Sequence, residues 1–141
     1  MSKKKAITLT ITLLVGCFAV LLWILAYLPS YSFWRAMCIT DRIEIKGPEI
    51  RMNPRIVYPS KKILLTGEEA TKAARSLRFE WCVGHPLCAS EAQVRFYEGT
   101  NLLTEVGMCV HLLLIDGKWY RPNPNGQSLI QSWSDRLRQT D

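Results

Sequence analysis

The sequence predicts an α+β protein. We expect an N-terminal transmembrane helix, then a small extracytoplasmic domain with a three- to five-stranded antiparallel sheet and two helices packed on one face. Residues 6–28 form an uncharged, proline-free apolar run that is long enough for a helix across the ~30 Å core of a bilayer. The rest of the chain is long enough for one domain with a modest core. Within it, apolar residues alternate as in strands and then recur at helical spacing.

The charges beside the apolar run predict its orientation. Residues 3–5 are lysines, whereas Arg35 is the first cation on the other side. By the positive-inside rule, residues 1–5 are cytoplasmic and residues 30–141 lie outside. The outer end also carries aromatic residues that favour the headgroup layer. These are Tyr27, Tyr31, Phe33 and Trp34.

Two other fates of the apolar run are open at this point. Ser30-Tyr31-Ser32 could serve as the cleavage site of a signal peptide, although the apolar region of such peptides is normally shorter. Leu14-Val15-Gly16-Cys17 resembles the lipobox of bacterial lipoproteins, and that resemblance implies lipidation at Cys17. Each fate leaves the following residues outside the cytoplasm. We predict a retained signal anchor, because the apolar run is longer than that of a signal peptide and continues from Phe18 to Leu28 after the lipobox-like residues. The absence of an Asn-x-Ser/Thr sequon favours a bacterial inner membrane with a periplasmic domain.

The outer part is predicted to begin with a collar and irregular strands. Residues 29–40 form an aromatic, mostly uncharged juxtamembrane collar, and the domain spans residues 41–141. Residues 41–45 alternate between polar and apolar side chains, which indicates a short strand. Residues 49–58 alternate too, but Asn53-Pro54 restricts them to an edge or irregular strand.

Residues 68–78 are predicted to be helical. Thr66 and Glu69 have the spacing of a capping box, in which each side chain bonds an amide that the helix leaves unpaired. The apolar residues that follow fall on one helical stripe. These are Ala70, Ala73, Ala74, Leu77 and Trp81.

Residues 93–120 predict a three-stranded meander. In its long middle strand, residues 102–114, all even positions except one threonine are apolar, so the even face is the predicted core face. For Phe96 to share that face it must stand opposite Leu102. That pairing requires a loop of three or five residues, with Gly99 at a positive φ angle.

The chain is predicted to close with a hairpin and a helix. Asp116-Gly117 favours a two-residue turn that sets Leu114 opposite Trp119 and places Trp119 on the core face. A final helix can be capped by Ser128 and Gln131. Its apolar side is Leu129, Ile130, Trp133 and Leu137.

Four cysteines outside the apolar run are disulfide candidates, because an even number in a small extracytoplasmic domain is typical of a disulfide framework. They are Cys38, Cys82, Cys88 and Cys109. A Cys82–Cys88 bond would close a short loop and leave Cys38 with Cys109, and this is the pairing that we predict. Spacing equally allows Cys88 to pair with Cys109.

An alternative function is metal binding or thiol redox chemistry. Cys109 and His111 would share a strand face, and a loop with further thiol and imidazole groups could fold over them. The full set is Cys82, His85, Cys88, Cys109 and His111. Its spacing matches no metal motif that we can name, and it lacks the C-x-x-C of redox catalysts.

We expect a binding module rather than an enzyme, with no cofactor. Its partner would be another envelope protein, or a toxin if it acts as an immunity protein. Three of the 18 cations precede the apolar run, so the outer part carries 15 cations against 12 acidic residues. This charge of +3 is scattered, which excludes a typical nucleic-acid interface but leaves open a membrane-surface role for the collar and its cations. The predicted interaction surface is Trp34, Arg95, Tyr97 and Tyr120.

Overall fold

The computed structural model describes residues 3–48, 50–53, 56–58, 61–84, 90–109 and 111–139; for residues 27, 50–53, 56–58 and 80–84 it describes the backbone alone. The described helices are α1 (Lys3–Tyr27), α2 (Tyr31–Ile39), α3 (Gly67–Ser76) and α4 (Pro124–Arg138). The described strands are β1 (Arg42–Lys46), β2 (Ile50–Asn53), β3 (Ile56–Tyr58), β4 (Lys62–Thr66), β5 (Phe79–Gly84), β6 (Ala92–Glu98), β7 (Asn101–Cys109), β8 (Leu112–Ile115) and β9 (Lys118–Pro122).

Most described strands belong to one antiparallel sheet. Its order is β4-β1-β6-β7-β8-β9-β5, while β2 and β3 form a separate hairpin. The α+β class is therefore confirmed, and the sheet has seven strands instead of three to five. Two of the additional strands, β4 and β5, flank α3 in the chain and form the two edges of the sheet.

Helices α2, α3 and α4 pack on one face of this sheet, as predicted for α3 and α4. The alanine stripe of α3 is buried, and so are Ile130 and Trp133 of α4. Two predicted caps differ from the structure. Thr66 occupies the N-cap of α3 but makes no side-chain cap bond. Helix α4 starts earlier than predicted, because Asn123 accepts a hydrogen bond from Gly126 N and Pro124 fits the first turn.

The predicted collar is part of the domain core. Ser30 caps α2, whose buried face carries Phe33, Ala36 and Met37. The Phe33 ring meets the Phe79 ring edge-on, with centroids 5.5 Å apart. Residues 31–39 thus fold as a helix against the sheet.

The hairpin between β6 and β7 has a two-residue turn and a β-bulge. Gly99 has φ +58°, as predicted, but the loop is shorter than predicted. The bulge follows Phe96 and sets it opposite Thr104, so Phe96 still faces an even residue. Leu102, predicted in the core, is 52% exposed.

The predicted long middle strand is in fact two strands, β7 and β8. They form a tight hairpin in which Cys109 pairs with Leu112 and Met108 pairs with Leu113. This turn moves the core-facing positions from even to odd residues. Trp119 pairs with Leu114, as predicted, but both belong to a second apolar cluster on the other face of the sheet.

At one end of its strands, the sheet contacts the end of α1. The Gly99–Thr100 and Asp116–Gly117 turns lie at this end of the strands, because two antiparallel strands separate them. Next to the second turn, Lys118 Nζ donates a hydrogen bond to the Ala26 carbonyl, 3.0 Å away. The Tyr120 hydroxyl donates to the Leu28 carbonyl, 3.2 Å away. We call this end of the strands the α1 edge; it is distinct from the two edge strands, β4 and β5.

Candidate functional site

The predicted interaction surface does not form one patch. Tyr120 is 3% exposed and lies in the helix-side core, where its ring meets Phe79. Trp34 is half-buried against the rings of Phe33 and Phe79. Only Arg95 and Tyr97, whose neighbours in β6 are the core residues, point to the helix-free face of the sheet.

The helix-free face carries a row of paired charges over β4, β1, β6 and β7. The Arg42 guanidinium lies 4.1 Å from the centre of the Tyr97 ring, a cation–π contact. Arg95 Nε donates a hydrogen bond to Glu105, and this bond and the carboxylate charge raise the pKa of Arg95 above its ordinary value. Arg95 is therefore a fixed cation at any ordinary pH.

An exposed leucine interrupts these charges. Leu64 of the edge strand β4 is 53% exposed, while its neighbours Ile63 and Leu65 are buried. Leu64 stands opposite Glu44, and Glu44 pairs with Lys62 at 3.0 Å. Leu64 thus places an exposed apolar side chain beside an ion pair, on an edge strand of the described sheet.

One of the two predicted cysteine pairs, Cys38 with Cys109, is not formed, and the predicted Cys82–Cys88 bond lies outside the described residues. Cys38 is a free, exposed thiol, so the predicted Cys38–Cys109 bond is wrong. Cys109 is 1% exposed and disulfide-bonded. The side chain of Cys82 and the whole of Cys88 lie outside the described residues.

The register of the strands restricts the partner of Cys109. Cys82 in β5 faces Tyr120 in β9, which faces Leu113 in β8, which faces Met108 in β7. Three strand spacings separate β5 from β7, about 14 Å, and the Cα atoms of a disulfide lie within about 7 Å. The backbone of β5 is therefore too far from Cys109 for a bond to Cys82.

The predicted metal cluster is not assembled by the described residues, among which no group of three potential ligands occurs. His111 lies in the turn after β7 and not on the strand, so it does not share the strand face of Cys109. His85 and Cys88 fall outside the described residues. The disulfide also occupies the Cys109 thiol that this alternative requires.

Helix α1 passes through the proposed lipidation site without interruption. Cys17 is a free, exposed residue near its middle. The helix has a mean hydropathy of 2.6 over its most apolar window, and none of that window is buried against the domain. It is long and apolar enough to cross a membrane.

An open cleft of about 440 Å³ lies between α3 and α4. Its walls carry Glu69, Lys72 and Arg136 beside the hydroxyls of Ser76 and Ser128. None of the residues predicted from the sequence to form a site lines this cleft.

The α1 edge is a surface that sequence reasoning missed. The large hydrophobic side chains exposed there are Leu28, Tyr31, Ile39 and Leu102. A signal for part of it was present in the sequence. Phe33, Ala36 and Met37 have the spacing of one helix face. The opposite face of the same helix carries Tyr31, Arg35 and Ile39.

The fold and these surfaces define an α+β domain with helices on one face of an antiparallel sheet, joined through α2 to one unburied apolar helix. Comparison with protein-family models, curated proteins and solved structures finds no match to this chain.

Proposed function

We propose that the chain is a single-pass protein of a bacterial inner membrane whose periplasmic domain acts by binding another envelope protein or a toxin. The membrane anchor is supported by the apolar length of α1 and by the fact that none of its most apolar window is buried against the domain. A helix with apolar residues on all sides is stable in hydrocarbon, where every backbone group is satisfied within the helix. The hydroxyls of Thr8, Thr10 and Thr12 also bond to carbonyls of the preceding turn.

The charge distribution supports the orientation. Residues 3–5 are lysines at the start of α1, and cations are retained on the cytoplasmic side. A disulfide at Cys109 agrees with an oxidising compartment.

A protein partner is supported by the helix-free face of the sheet. Leu64 supplies exposed apolar area beside the Lys62–Glu44 pair. Arg42 and Arg95 extend the polar rim along β1 and β6. An apolar contact within a rim of arginine and tyrosine side chains is typical of protein interfaces. Among the described strands β4 is an edge strand, and an extended segment can bond the outward backbone groups of such a strand.

The anchor and its orientation are tested together in membranes. The variant Gln131→Cys, in a chain that also carries Cys17→Ala, Cys38→Ser and Cys82→Ala, places a thiol on the exposed side of α4. Cys82 is replaced because a bond between Cys109 and Cys88 would leave its thiol without a disulfide partner. We expect the chain to resist extraction by alkaline carbonate, and the thiol to react with a membrane-impermeant maleimide in cells with a permeabilised outer membrane. Release by carbonate, or reaction only after the inner membrane is lysed, would refute the proposal.

Partner binding is tested by photo-crosslinking in native membranes. A photoreactive residue at Leu64 is expected to give one discrete adduct, whereas the same residue at Gln131 is the control and gives none. The variant Leu64→Arg should abolish binding of the partner identified from the adduct, once both proteins are purified. Undiminished binding by that variant would exclude this face as the interface.

A further inference from the structure

The exposed apolar side chains of the domain are not spread evenly. Outside α1, the described residues include five large hydrophobic side chains that are exposed, and four of them lie at the α1 edge. Tyr31 is 82% exposed, Leu102 52%, Leu28 40% and Ile39 38%. Leu64 alone lies elsewhere. Exposed apolar side chains that cluster in one place are typical of a surface that contacts a partner or a membrane.

Helix α2 lies along this edge. It begins after the three residues that follow α1. Lys118 of β9 bonds Ala26 in the last turn of α1, and Tyr120 of β9 bonds Leu28 directly after it. It ends directly before β1, which enters the sheet at the same edge, since Arg42 faces Tyr97 beside the Gly99 turn. Helix α2 therefore crosses several strands near the α1 edge. One side carries Phe33 into the core, and the other side is exposed.

The bilayer depth of α1 places this edge at the headgroups. At about 1.5 Å per residue, a helix crosses a ~30 Å hydrocarbon core in about 20 residues. Counted from Ala6, the core ends near Leu25. The Ala26 carbonyl and the Lys118 ammonium that bonds it then stand at the boundary between hydrocarbon and headgroups, where lysine side chains are stable.

We propose that the exposed face of α2, with Tyr31 and Ile39, rests in the zwitterionic phospholipid headgroup layer and holds the domain against the bilayer. This inference rests on the proposed membrane anchor. Tyrosine at this depth keeps its hydroxyl in water and its ring in the apolar boundary. We call this contact the apolar seat. It depends on apolar side chains because the cations Arg35, Arg42 and Lys118 share the α1 edge with Asp41, Glu98 and Asp116.

The test uses the full chain in phosphatidylcholine vesicles. In a Cys17→Ala, Cys82→Ala chain, the native Cys38 thiol, exposed on α2 beside Ile39, is modified with a nitroxide, and peptide mapping verifies the position. The matched control carries the nitroxide at Gln131→Cys in the Cys17→Ala, Cys38→Ser, Cys82→Ala chain. We expect the ratio of oxygen accessibility to water-soluble nickel accessibility to be several-fold higher at Cys38 than at the control. Equal ratios would overturn the seat.

A second variant separates the apolar seat from mere proximity. Tyr31→Ser removes an 82% exposed ring and leaves the core intact, so the Cys38 ratio should fall toward that of the control position. Leu64→Ser removes a comparable exposed side chain away from the edge and should leave the ratio unchanged. A ratio that is insensitive to Tyr31→Ser, or that requires anionic lipid or low salt, would overturn the apolar seat.

The two proposals fail in different ways. A chain that alkaline carbonate extracts from the vesicles has no membrane anchor, and both proposals are then refuted. A chain that stays in the membrane while Cys38 is as accessible to nickel as the control keeps its anchor and loses the seat.

Discussion

Replacing Phe33 by alanine is the sharpest test of whether the segment after α1 belongs to the domain core. Phe33 is 1% exposed, and its ring lies edge-on to Trp34, Phe79 and Phe96, with centroids 5.5–6.4 Å apart. Alanine would leave a cavity lined by stiff rings that cannot collapse into it. We therefore expect Phe33→Ala to lower the free energy of unfolding by about 3–5 kcal/mol. That is a large share of the roughly 5–15 kcal/mol of a typical domain.

The assay is urea unfolding of the full chain in detergent micelles, followed by tryptophan fluorescence. The matched control is Tyr31→Ala in the same helix, where an 82% exposed ring is removed, and we expect a change within about 0.5 kcal/mol. If the two variants unfold at the same urea concentration, α2 does not pack in the core, and the reasoning that includes residues 31–39 in the domain is wrong.

Three further outcomes follow from local geometry. Asn123→Ala should cost about 1 kcal/mol of unfolding free energy because its side chain caps α4, whereas Thr66→Ala should change little because that cap bond is absent; urea titration compares the two. Gly126→Ala should cost about 1–3 kcal/mol in the same assay, since its new Cβ would lie 2.7 Å from the Cβ of the proline that ends β9; unchanged stability would contradict this close approach. Non-reducing peptide mapping should join Cys109 to Cys88, because the cysteine of β5 is three strands away; a crosslink to β5 would refute the register.

Local signals predicted some elements well. The Asp116–Gly117 turn has positive φ at both residues and the predicted pairing of Leu114 with Trp119. The alanine stripe of α3 is buried as its spacing indicates. These features depend on neighbours in sequence, and a period or a turn dipeptide therefore suffices to predict them.

The β7–β8 turn shows where periodicity fails. In the sequence, the even positions from 102 to 114 are apolar except Thr104. No Gly or Pro stands between Cys109 and Leu112 to mark the turn. The strands could therefore be read as one. Because a two-residue turn exchanges the faces, this one omission moved Trp119 to the wrong side of the sheet.

The residues at the α1 edge were missed for a different reason. Lys118 and Tyr120 contact carbonyls of residues 26 and 28, far away in the sequence. No spacing rule relates such distant positions. Tyr120 was predicted to be part of an exposed surface, whereas it is 3% exposed and its ring meets Phe79.

The position of α2 also decides where an engineer may cut the chain. Ser30 caps this helix, and Phe33 three residues later is part of the core. A secreted version that starts at residue 41, the first residue of the predicted domain, would discard Phe33, Ala36 and Met37 from the apolar interior and open a gap beside Phe79 and Phe96. A version that starts at Pro29 keeps them all. The usable domain is therefore twelve residues longer at its N-terminus than residues 41–141, and it begins where α1 ends.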